Sequence, residues 1–164
     1  RVCLLGESMG ASAALRFARH ATGSVVALVP QIDVRDFSSS YAGRSDFDGA
    51  AKVRLRDAIQ QAVQQTSAQV VLHVGQDPDD LRQPAYIGAV IQPARHPAHL
   101  HHEDAYLHDG SHHEGSSTPF RRLPRVIEHP CEGHALGAGL KARGLLRKIV
   151  LGDLLGHSYC LPPA

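Results

Sequence analysis

Apolar residues follow two rhythms along this chain. Short unbroken apolar runs occur at Val2–Leu5, in "SVVALVP", in "AQVVLHVG" and in "RVIEH". Runs of this length, bounded by glycine or proline, predict strands buried on both faces. Between them, apolar residues recur at intervals of three and four. From Met9 to about His20 the recurring residues are Ala11, Ala14, Leu15 and Ala18, and Thr22-Gly23 supplies the stop. "AAKVRLRDAIQQAVQQT" predicts an amphipathic helix with Val53, Ala58, Ile59, Ala62 and Val63 on or near its inner face. A short helix is predicted over about Leu81 to Ile91, and a final one from about Ala135 to Leu155. Strands alternating with helices predict an α/β fold, a parallel sheet flanked by helices.

Two stretches break the rhythm. "QIDVRDFSSSYAGRSDFDG" is polar and turn-rich, which predicts an excursion over the surface. "RHPAHLHHEDAYLHDGSHHEGSSTPFRR" carries seven of the twelve histidines and little apolar content. It reads as a flexible insert at about 94–122, between the third and fourth strands of one domain.

Composition changes this picture only by exclusion. The 164 residues suit a single domain, and the formal charge of +1 gives no electrostatic case for nucleic acid. No apolar run approaches the roughly 20 residues that span a bilayer. Cys3, Cys131 and Cys160 are scattered and odd in number, so no disulfide framework follows. The chain opens on arginine, has its only methionine at position 9 and enters at once on a strand. It therefore reads as the C-terminal part of a longer protein, and the compartment stays open.

The candidate chemistry begins at Gly6-Glu7-Ser8-Met9-Gly10, a G-x-S-x-G pattern between a buried strand and a helix. A serine at so sharp a turn takes a strained backbone, and side chains two residues to either side would collide with it. The strain leaves Oγ exposed at a helix start, with the Met9 N–H free for a developing oxyanion.

A nucleophilic serine needs a base, and the base needs an orienting carboxylate. His134, in "EHPCEGHALGAGL", lies between a turn and a helix start after the fourth strand. His129, at the strand end, is the weaker candidate. Past the third strand, "HVGQDPDDLRQ" offers Asp77, Asp79 and Asp80. Asp80 is favoured because it begins the helix-like Leu81-Arg82-Gln83. Asp77, nearest the strand, is the alternative acid, and the remaining aspartates read as helix caps.

Together, "LLGESMGASAAL", the aspartate cluster and "HPCEGHAL" resemble the nucleophile elbow, acid loop and histidine loop of the α/β-hydrolases. The resemblance runs from the fifth strand of that fold to its last helix, leaving out the histidine-rich insert. It implies a triad of Ser8, Asp80 and His134, an oxyanion donor at Met9 and no cofactor. A small acyl compound, an ester or a relative of one, is the implied substrate. It also implies that the N-terminal strands are missing from this chain. The loop carrying the superfamily's second oxyanion donor would be missing with them, so this portion alone is expected to be inactive.

Two rival readings stand beside it. One is a catalytically silent hydrolase-like domain used for binding or assembly. The other is a metal-binding module on His96, His99, His101, His102, His108, His112 and His113, whose spacing matches no closed zinc site. Glu7 could touch the substrate pocket or a neighbouring loop, and His73 reads as a hydrogen-bonded core residue.

Overall fold

Among the described residues, four strands pair in parallel in the order in which the chain makes them, β1 (Leu4–Glu7), β2 (Ser24–Leu28), β3 (Gln69–Val74) and β4 (Arg125–Glu128). The register brings Glu7 beside Leu28, Leu28 beside His73, and His73 beside Ile127. The computed structural model describes residues 1–37, 49–89, 123–130 and 132–155. The histidine-rich insert lies outside the described residues.

Helices cover both faces of the sheet, as parallel strands require. Helices α1 (Met9–Arg16) and α2 (Gly49–Gln65) pack on one face, where Leu15, Ile59 and Val63 meet Val25, Ala27, Val70, Leu72 and Val126. Two further helices, α4 (Leu136–Ala142) and α5 (Leu146–Leu155), pack on the other, where Leu136, Leu140 and Ile149 meet Leu28 and Val29. The shortest helix, α3 (Pro78–Arg82), follows β3 and continues into a 3-10 segment, Gln83–Ile87. Among the described residues, no helix is long and apolar enough to cross a membrane.

Several elements differ from the sequence expectation, each for a local reason. The first strand is not buried on both faces: Leu5 keeps 49% of its surface exposed. The first helix ends at Arg16, and Ala18–His20 tightens into a 3-10 turn. The helix expected from Leu81 begins at Pro78, because Asp77 caps it by accepting the Asp79 N–H and proline suits the first turn. The single final helix is two, since Gly144 takes a φ of 70° and turns the chain between α4 and α5.

The polar stretch after β2 does not begin as a surface excursion. Gln31, Ile32, Asp33, Val34 and Phe37 are buried. Burial needs partners for the backbone, and buried Gln83 provides them: its Oε1 accepts the N–H groups of Ile32 and Asp33, each at 2.8 Å. Its Nε2 donates to Asp36 and to the Asp79 carbonyl. One glutamine thus stitches the segment after β2 to the segment after β3. Residues 38–48 of the expected excursion lie outside the described residues.

Candidate active site

Parallel strands all end on the same side of a sheet, so the segments after them converge there. Ser8 follows β1, Gln31 follows β2, Asp80 follows β3 and His134 follows β4. The first is fixed by the turn from β1 into α1. Ser8 has φ 54° and ψ −123°, a region that side-chain-bearing residues rarely occupy. Its N–H donates to the Leu28 carbonyl at 2.9 Å, and its own carbonyl accepts from Ala11 and Ser12.

The two flanking glycines turn out to have different roles. A Cβ on Gly6 would overlap the backbone of Gly10, so Gly6 is required by close approach. A Cβ on Gly10 would meet nothing within 4 Å. The expected collision on that side is absent, because the helix has already carried position 10 clear of the strand. Met9 opens α1, and its N–H has no hydrogen-bond partner among the described residues.

Ser8 Oγ lies 3.0 Å from His134 Nε2, and His134 Nδ1 lies 2.8 Å from Asp80 Oδ1. If the imidazole is neutral, Nδ1–H donates to the carboxylate and Nε2 accepts the serine proton. Asp80 is fully buried, whereas the His134 side chain is 36% exposed, so the line runs from the interior to the surface. Burial pushes the Asp80 carboxyl up, against the opposing pull of the His134 hydrogen bond and charge. Asp80 Oδ2 has no partner among the described residues.

The other sequence candidates sit elsewhere. Asp77, the alternative acid, is the α3 cap, and Asp79 pairs with Arg82 at the surface. His129 is buried, with Nε2 2.8 Å from Nδ1 of His73, whose Nε2 lies 2.7 Å from Asp153. That places His73 in a hydrogen-bonded core pair.

The histidine loop is held by its backbone. Gln76 N–H donates to the Glu132 carbonyl at 2.6 Å, and a Cβ on Gly75 would overlap that same carbonyl. The sequence reading missed two neighbours of His134. Gln31 Nε2 lies 3.4 Å from His134 Nε2, and the Phe37 ring packs against the imidazole with centroids 5.5 Å apart. Gln31 is anchored at its backbone by Ser12, whose Oγ donates to the Gln31 carbonyl and accepts its N–H. Its position just past a strand end was the available signal.

Comparison with family models, curated proteins and solved structures finds no match to this chain.

Proposed function

We propose that the protein is a serine hydrolase of the α/β-hydrolase kind, acting on an ester or related acyl substrate. The observation that carries this reading is the unbroken line from Ser8 Oγ through His134 to Asp80, at 3.0 and 2.8 Å, at the ends of successive parallel strands. Ser8 Oγ attacks the acyl carbon while its proton passes to His134 Nε2. Asp80 holds the tautomer and stabilises the imidazolium. The Met9 N–H faces the charge that develops on the carbonyl oxygen. Collapse of the tetrahedral species breaks the bond to the leaving group, which takes the proton from Nε2. Water, activated by the same nitrogen, then releases the acid and restores the serine.

The strained Ser8 backbone also supports this reading. Strain of that kind persists where surrounding structure enforces it, and functional sites are where it gathers. The metal-binding alternative rests on residues outside those described.

The test, made on the protein at its natural full length, is reaction with a fluorophosphonate probe alongside hydrolysis of a p-nitrophenyl ester. Ser8→Ala should abolish labelling, and Ser8→Ala or His134→Ala should lower turnover by several orders of magnitude, without adding. A full-length wild type that is folded yet unlabelled would make the silent binding module the better reading. Labelling that survives Ser8→Ala would remove the serine from its role.

A further inference from the structure

The contact between Ser8 and His134 joins two elements that share no strand pairing, since β1 and β4 lie at opposite ends of the sheet. Something must set the distance between them, and the residue beside the nucleophile is placed to do so. Glu7 Oε1 accepts the N–H of Gly137 at 2.8 Å. Gly137 is the second residue of α4, three positions after His134. A Cβ on Gly137 would lie 2.5 Å from Glu7 Oε1 and 2.6 Å from Oε2, so an alanine there would push the carboxylate from its seat.

A second carboxylate grips the same helix. Glu132 packs where a Cβ on Gly139 would stand, and it pairs with Arg143 at 2.9 Å. Glu132 belongs to the loop that carries His134, so it ties α4 only to that loop. Glu7 ties α4 to the strand that carries Ser8. Among the described residues, it makes the hydrogen bond that joins β1 to α4.

We propose that Glu7 is a positioning residue, whose bond to the Gly137 N–H registers His134 against Ser8. The inference rests on the reading of these two residues as base and nucleophile. Glu7 touches neither of them through a hydrogen bond. It acts through the helix, and the glycine opposite it leaves room for the carboxylate.

The experiment compares Glu7→Ala, Glu7→Gln and Gly137→Ala in three measurements. These are the rate of fluorophosphonate labelling, kcat and KM on a p-nitrophenyl ester, and the nitrogen-15 resonance of His134 Nε2. In Glu7→Ala the labelling rate and kcat should fall by about tenfold to a hundredfold with KM little changed, the scale expected for an ångström of misplacement. The Nε2 resonance should move toward that of an imidazole without a serine partner. Gly137→Ala should behave alike, because the added methyl displaces the carboxylate. Glu7→Gln should return to within about threefold of wild type, since its amide oxygen still accepts the Gly137 N–H. An unchanged rate and resonance in Glu7→Ala would overturn the proposal, as would a Glu7→Gln variant no better than Glu7→Ala. If wild type is unlabelled at Ser8, the hydrolase reading falls instead. The resonance then decides alone: moved by Glu7→Ala it supports the positioning role, unmoved it overturns it.

Discussion

Among the described residues there are two aspartate–histidine pairs, and they are built in opposite senses. In one, Asp80 meets Nδ1 of His134 and the far nitrogen faces a serine hydroxyl. In the other, Asp153 meets Nε2 of His73 and the far nitrogen faces His129. Asp153 also accepts from Arg125, a cation that balances its charge, whereas Asp80 Oδ2 has no partner among the described residues. His73 and Asp153 are both buried, while His134 reaches the surface. An aspartate beside a histidine is therefore not a mark of chemistry in itself. What separates the pairs is whether the proton at the far nitrogen has somewhere to go.

The sharpest way to test that contrast is to convert each aspartate to asparagine. Asp80→Asn should lower kcat by about ten-thousandfold by favouring the wrong imidazole tautomer. The same change should raise stability, because it replaces a buried carboxylate by a neutral group of the same shape. The sign follows from burial. The Asp80 carboxyl is pushed above its ordinary 3.8, so its ionised form costs the fold stability at neutral pH, and an amide removes that cost. Ester turnover and urea titration of one sample measure both effects. An Asp80→Asn variant that is active, or inactive only because it unfolds, would break the comparison.

Asp153→Asn should do the reverse. Leaving buried His73 and the arginine poorly partnered should cost about 1–3 kcal/mol in urea titrations, with kcat within about twofold of wild type. A smaller effect concerns pH. Burial, then the charges of His73 and Arg143, pushes His129 down to about 4 from an ordinary 6.5. As pH falls below 6.5 the unfolded chain takes up a proton that the folded chain refuses until about 4. Stability should therefore fall across that window, by at most about 3 kcal/mol, and the loss should level off below it. His129→Gln should flatten the slope. Last, Asp77→Ala removes only a helix cap and should cost about 1 kcal/mol while leaving turnover nearly unchanged. Severe inactivation there would return Asp77 to candidacy as the acid.

Much of this was legible in the sequence where the signal is local. The strand–turn–helix around Ser8 and the order of strands and helices depend on neighbours a few positions away. The meeting of Ser8, Asp80 and His134 followed from where strands end. Asp80, however, was singled out for beginning a helix that in fact begins at Pro78, with the cap at Asp77. Residues whose setting depends on distant partners were not legible. Ile32 and Asp33 look like loop until Gln83 satisfies their backbone. Nothing local told Asp153 apart as the partner of His73, eighty positions away.

Because the sheet lays its strands side by side in chain order, the site has a schedule as well as a shape. Ser8 and His134 are 126 positions apart, and Asp80 lies between them. Contacts of such separation carry the largest loop-closure cost and form late. On a ribosome Ser8 emerges long before His134 has been synthesised. Until β4 docks beside β3, the hydroxyl has no imidazole to take its proton. On the hydrolase reading, reactivity at Ser8 would then be acquired only once β4 has docked, and a chain short of that step would carry an idle alcohol.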